Sequence, residues 1–224
     1  MRATVLTGGP PGHPYDATAA HLADILTAAG YKASVTVDVE GCFAALDDCD
    51  VLAVNALRWR MLDDKYAAAR AEHAFSPSPE GREAVTAFLR RGGALLASHT
   101  APICFDDWPG WGDLVGASWR WGRSSHLPLG PARVEIRPDA HPVVAGVATE
   151  FEVVDEIYGH LDLAPGVEPL AWGTAGDGRH PVLWAREVGG GRVVYDALGH
   201  DERSFGVPAH QQILHQAARW LQGA

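Results

Sequence analysis

Two glycine-fed apolar strands, each running into a histidine, constrain this chain more than any other feature of it. The first stretch is Arg91-Gly92-Gly93-Ala94-Leu95-Leu96-Ala97-Ser98-His99-Thr100. Gly92 and Gly93 suit the end of a helix, where a left-handed backbone carries little penalty without a Cβ. Ala94 to Ala97 is an unbroken apolar run, the pattern of a strand buried on both faces of a parallel sheet. His99 falls just past the carboxyl end of that strand, on the rim where open α/β sheets bind ligands. The second stretch runs from Gly189-Gly190-Gly191-Arg192-Val193-Val194-Tyr195 to Gly199-His200-Asp201 and has the same design. If the two strands are neighbours in one parallel sheet, both histidines face one crevice.

The rest of the chain fits such a sheet. Ala3 to Leu6 reads as the first strand. The turn Gly8 to Pro14 is too rich in proline for a dinucleotide fingerprint, which needs free backbone N–H groups at a helix start. Asp16 to Ala29 has helical spacing with Gly30 behind it. Ala33 to Val39 alternates as a strand, Cys42 to Leu46 is a short helix, and Val51 to Asn55 a third strand. This βαβαβ rhythm points to a doubly wound parallel sheet. Arg58 to Ser78 is a charged, alanine-rich excursion, and Pro79 suits the first turn of the helix that follows. Thr100 to Pro131 holds Trp108, Trp111, Trp119 and Trp121 between glycines. So many tryptophans argue for an ordered cover over the sheet rim, with a short helix at Gly112 to Val115. Further strands are expected at Arg133 to Arg137, Glu150 to Tyr158, Glu168 to Trp172 and Pro181 to Arg186. A short helical turn is expected at Val143 to Gly146. The last strand ends at Leu198, and Pro208 to Gln222 is the closing helix.

Charge and composition exclude some functions. The net charge of −10, from 28 acidic and 18 basic residues, repels phosphate backbones and makes nucleic acid a poor partner. No run of 18 apolar residues marks a membrane span, and the amino terminus enters a strand pattern without the marks of a signal peptide. Cys42, Cys49 and Cys104 form no metal or redox spacing, and a sparse, odd set suits a reducing cytoplasm. No G-x-S-x-G elbow and no G-K-[ST] phosphate loop is present.

The candidate chemistry lies at strand ends. His99 can act as base, acid or metal ligand, or simply cap its strand. His200 and Asp201 can form an acid–base pair, or Asp201 can cap the following turn. In Asp155-Glu156-Ile157-Tyr158 only one carboxylate can face a given side of an extended strand, and Tyr158 would share a side with Glu156. His13 and His126 lie beside prolines in loops. His99, Glu156 and His200 can supply two nitrogens and one oxygen to a divalent ion such as zinc and leave a position open. Cys104 reads as a small buried hydrophobe.

In order along the chain, these residues resemble the ThuA-like proteins, named for trehalose utilisation, within the class I glutamine amidotransferase-like superfamily. The matching pieces are the early turn with His13, Gly92 to Ala101, His126-Leu127-Pro128, and His141-Pro142-Val143. They continue with Phe151 to Tyr158, Pro181 to Trp184, and Gly191 through Asp201. The resemblance implies an α/β protein: a flavodoxin-like three-layer α/β/α sandwich with a mostly parallel central sheet, one domain over residues 1–224. It also implies a protein of carbohydrate utilisation that binds or transforms a trehalose-type or keto-sugar derivative. His99, Glu156 and His200 would carry acid–base or metal-assisted catalysis. His13, His126, Trp121, Tyr158 and Asp201 would hold the sugar. The alternative is a non-catalytic sugar-binding or regulatory protein on the same fold. Small-molecule carbohydrate is the expected partner, and an apolar sheet edge would let copies of the chain pair. The chain departs from the family pattern at Ala97-Ser98, in the segment from Trp59 to Ser78 and in the tryptophan-rich loop. His99 also stands where glutamine amidotransferases carry an elbow cysteine, so glutaminase chemistry is not expected.

Overall fold

The computed structural model describes residues 1–176 and 178–223. From the amino end, β1 (Arg2–Gly8), α1 (Tyr15–Ala28), β2 (Lys32–Thr36), α2 (Val39–Ala44) and β3 (Val51–Ala56) form the expected βαβαβ unit. An excursion holding α3 (Ala67–His73) leads to α4 (Pro79–Arg90) and β4 (Ala94–Ser98). Then come α5 (Pro109–Val115), the short β5 (Ala117–Ser118) and β6 (Ser125–His126), and the longer β7 (Gly130–Ile136) and β8 (Glu150–Asp155). Two short strands, β9 (Tyr158–Gly159) and β10 (Asp162–Leu163), precede β11 (Pro169–Ala175), β12 (Gly178–Val188) and β13 (Gly191–Asp196). The chain closes with α6 (Glu202–Phe205) and α7 (Pro208–Trp220). Asp177, part of the expected turn between β11 and β12, lies outside the described residues, as does Ala224.

Among the described residues one sheet holds nine strands, in the order β2-β1-β3-β4-β13-β12-β11-β7-β8. The first five are parallel to one another and the remainder are antiparallel. The parallel half has the flavodoxin-like strand order. Helices α1, α6 and α7 pack together on one face, and α2 and α4 on the other. This is the expected three-layer sandwich, with an antiparallel extension added to the parallel half. β3 and β4 are buried at every residue, as unbroken apolar runs between two helical layers should be.

Local chemistry explains the boundaries. α1 buries Tyr15, Thr18, Ala19, Leu22, Ile25 and Leu26, one face at helical spacing. The Ser78 hydroxyl caps α4 by accepting from Gly81 N at 3.0 Å, with Pro79 in its first turn. Val39 does not end β2 as its alternation suggests. The Asp38 carboxylate accepts from Gly41 N at 3.0 Å and starts α2 there, so a capping signal outweighs a β-branched run. The strand expected from Glu150 to Tyr158 is also corrected. It breaks at Glu156 and Ile157, and Tyr158 resumes as β9 in a separate two-stranded sheet with β6.

The two glycine turns meet at the foot of the sheet. Gly92 has φ of +98°, the left-handed turn that ends α4. β13 lies parallel to β4 with Arg192 opposite Ala94 and Asp196 opposite Ser98. At that spacing a Cβ on Gly191 would fall on the Gly93 carbonyl oxygen and within 2.8 Å of Leu89 O. A Gly191→Ala substitution should therefore lower the unfolding free energy by about 2 kcal/mol, measured by urea titration. Gly130→Ala, whose Cβ would come no closer than 3.5 Å to Pro128 O, should change it little. Equal midpoints for the two variants would show that the close approach at the foot of β13 does not matter.

Candidate functional site

The parallel strands end at one rim, and four side chains converge above it. His99 follows β4, His200 follows β13, His13 comes from the loop after β1, and Glu156 comes from the break after β8. One donor atom from each lies within 4.8 Å of the others. The centre of the group is Glu156 Oε2, which lies 3.2 Å from His200 Nδ1, 3.7 Å from His99 Nε2 and 3.9 Å from His13 Nε2.

Each side chain is aimed by a different device. His99 occupies the sharp turn after β4 with φ of +43°, a conformation costly for any residue with a Cβ. Three bonds hold it there. Its N–H donates to Asp196 O at 2.7 Å, its carbonyl accepts from the Tyr195 hydroxyl at 3.0 Å, and Nδ1–H donates to Ala197 O at 2.7 Å. The last bond fixes the tautomer and turns the Nε2 lone pair toward the group, where the Tyr158 hydroxyl donates to it at 3.2 Å. Asp155, fully buried, anchors the loop ends that carry Glu156 and His200. Its carboxylate accepts from Gly199 N at 2.8 Å, His200 N at 3.2 Å and Glu156 N at 2.8 Å. His13 stacks on the Tyr15 ring with centroids 5.3 Å apart. β6 pairs with β9, setting His126 opposite Tyr158, and His126 Nδ1 reaches to 3.4 Å from Glu156 Oε1.

The electrostatics suit a cation. Burial, then the nearby imidazoles His99 and His200, pushes His13 down to about 3, so its ring is neutral at physiological pH. Burial alone would raise Glu156, but His200 and His99 outweigh it and hold the carboxyl well below the usual carboxylate range. Burial would lower His99, yet Glu156, Asp155 and the Ala197 carbonyl together raise it. The Tyr158 hydroxyl is raised, first by burial and then by Glu156, and stays protonated. His13 Nε2 and His200 Nδ1 are buried without a hydrogen-bond partner, and His200 Nδ1 is not aligned for one despite its 3.2 Å approach to Glu156. Buried polar atoms are rarely left so. Ligands about 2.1 Å from a common ion stand about 3.0 to 3.4 Å apart; His200 Nδ1 lies at that separation from Glu156 Oε2, and His99 Nε2 at 3.7 Å and His13 Nε2 at 3.9 Å stand farther out. The donor set of three imidazoles and one carboxylate fits a divalent transition metal.

The structure thus brings together His99, Glu156 and His200, adds His13 to the ligand-forming set, and places Tyr158 and His126 at its edge. It does not bring Asp201 in. Asp201 caps α6, accepting from Arg203 N at 2.9 Å and from Arg203 Nη2 at 2.6 Å. Trp121 lies farther out, touching Trp119 at a centroid distance of 6.2 Å, and Trp119 in turn touches Tyr158 at 5.4 Å and His126 at 6.1 Å. Cys104 is buried, its Sγ donates to Ala56 O at 2.9 Å, and burial pushes the thiol up to about 12, which removes it as a nucleophile. Sequence reasoning missed Asp155 as an anchor. It also missed the buried pair His210–Asp196, joined at 2.7 Å behind the turn of His99.

A family model described as ThuA, trehalose utilisation, matches residues 2–221. The chain belongs to the ThuA family. Solved structures agree in fold. A ThuA-like protein of Parabacteroides merdae superposes with a TM-score of 0.78 at 17% identity, over 99% of this chain and 90% of that one. A ThuA-like protein of Bacteroides uniformis gives 0.67 at 18% identity, over 98% and 91%. A cold-adapted β-galactosidase of a Rahnella species gives 0.64 at 15% identity, over 99% of this chain and 31% of its own. Comparison with curated proteins gave no match. Among the described residues of this ThuA-family chain, no helix is long and apolar enough to cross a membrane.

His210 offers a test of how the rim is held. Burial favours its neutral form, but Asp196 outweighs this and raises its pKa above the unfolded value of 6.5. Its charged pairing is therefore fully present below about pH 6.5 and fades as pH rises through the raised value. His210→Ala should cost about 3 kcal/mol at pH 6, and thermal melts should show the gap to wild type narrowing toward alkaline pH. A gap that stays constant, or widens, would contradict the charged pairing.

Proposed function

We propose that this ThuA-family chain is a cytoplasmic, divalent-metal-dependent enzyme acting on a sugar derivative, with His13, His99, Glu156 and His200 as the metal ligands. One observation carries the reading. Two buried imidazole nitrogens without partners, with His99 Nε2, converge on one oxygen of a carboxylate held anionic. A tetrahedral zinc taking all four donors would have no position left for a ligand, whereas a six-coordinate first-row ion keeps two. The reading therefore favours a six-coordinate ion of the manganese-to-nickel series.

Held by these four side chains, a divalent ion would polarise a sugar carbonyl or hydroxyl. The remaining work falls to the chain. The Tyr158 hydroxyl, protonated and 3.2 Å from His99 Nε2, stands ready to donate to a ligand oxygen. His126, exposed and 3.4 Å from Glu156 Oε1, is placed as a general acid or base at the mouth of the site. Trp119, packed on both, gives a sugar ring an apolar face. Small-molecule carbohydrate is thus the partner. The family's description supports this substrate class. Three free cysteines, two of them buried, suit a reducing compartment.

Elemental analysis of purified protein tests the reading. Wild type should carry near-stoichiometric metal, and His200→Ala should carry little. Adding the metal should raise the melting temperature of wild type but not of the variant. Keto-sugar turnover should fall at least about a hundredfold in His99→Ala and His200→Ala. Full metal in His200→Ala, or undiminished turnover in both variants, would rule the proposal out.

A further inference from the structure

Beyond the aromatic cover lies a hollow of ≈ 260 Å³, walled by Trp59, Leu62, Tyr66 and Trp121, with Arg60 and Asp106 among its polar lining. Two of its apolar side chains are unusually open to water: Leu62 is 65% exposed and Trp121 47%. Neither sits on a slack segment. Arg70 grips the loop under Leu62 by donating to the carbonyls of Met61 at 2.8 Å, Leu62 at 3.1 Å and Asp63 at 3.1 Å. The Trp121 ring leans on Trp59 at 27° and 6.2 Å, and meets Tyr66 at 63° and 6.2 Å. A fixed apolar surface facing water marks a place for a ligand.

The lining selects the ligand's chemistry. A second sugar ring needs hydrogen-bond partners for its hydroxyls, and most of the hollow's open lining is apolar. Its ion pair is partly engaged within itself: Asp106 Oδ1 accepts from Arg60 N at 3.0 Å and from Arg60 Nε at 3.2 Å, while the exposed Asp63 also lines the hollow. A flat apolar group needs no such partners and gains from ring faces. Trp119 stands between the hollow and the cluster, touching Trp121 on one side and Tyr158 and His126 on the other. Its walls come from the excursion after β3 and from the tryptophan-rich loop.

We infer that this hollow is an aglycone subsite: it takes the flat apolar group of a glycoside whose sugar lies against the histidine–glutamate cluster. The inference rests on the reading of that cluster as a sugar site. Calorimetric titration with phenyl and methyl hexosides, matched in sugar and anomer, tests it on wild type, Trp121→Ala and His200→Ala. Wild type should bind the phenyl glycoside more tightly. Trp121→Ala should erase about fivefold or more of that preference, and Leu62→Asp should act in the same direction. His200→Ala should weaken both glycosides. Equal affinity for the two glycosides in wild type, no binding of either, or a phenyl preference that survives Trp121→Ala would overturn the inference. If Trp121→Ala lowers the preference while His200→Ala changes neither affinity, the hollow stands as a site for apolar rings and the sugar reading of the cluster falls. Melting curves matched to wild type confirm that the exposed Trp121 is removed without unfolding.

Discussion

Everything at the rim depends on the in-register pairing of β4 with β13. Ser98 lies opposite Asp196, so the two strands release the chain at the same height. His99 and His200 therefore start from one level, and the backbone that turns after one strand can bond to the other. The bonds from His99 to Asp196 and Ala197 do so. A slip of one residue would reverse the facing of every side chain on the moving strand. The contact of Gly93 with Gly191 fixes the pairing at its other end, where no side chain fits between the backbones.

Glu156 reaches the same point from the opposite half of the sheet. It follows an antiparallel strand, and only because β8 breaks can Asp155 and Glu156 serve different purposes. Asp155 turns inward to three backbone N–H groups, and Glu156 turns to the imidazoles. An unbroken strand would have sent one of the two away. The interruption thus separates the carboxylate that holds the loops from the carboxylate that meets the histidines.

How far the sequence could be read follows from the range of each signal. His99 and His200 were legible because a glycine turn, an apolar run and a strand-end position are all local. The sandwich was legible for the same reason. Capping of α6 by Asp201 was one of two local options, and the structure takes it in place of a role at the cluster. His13 was visible as a residue but not as a fourth donor, since a proline-rich turn gives no direction to its side chains. The break at Glu156 was missed because periodicity over Glu150 to Tyr158 describes spacing and not hydrogen bonding. Nothing local marked Asp196 and His210, 14 positions apart, or Asp155 and Gly199, 44 apart, as contacts. Such pairs exist only once the sheet has closed.

The turn at His99 has one more consequence. Nitrogens of three imidazoles and an oxygen of a carboxylate are held about a common centre by groups that themselves do no chemistry: a left-handed backbone, a buried aspartate, a stacked tyrosine ring. The nearby imidazoles help keep His13 uncharged, so the rings do not all charge together. What sets the spacing of these atoms is the frame around them. The cluster is in this sense a socket whose shape is carried by residues that never enter it.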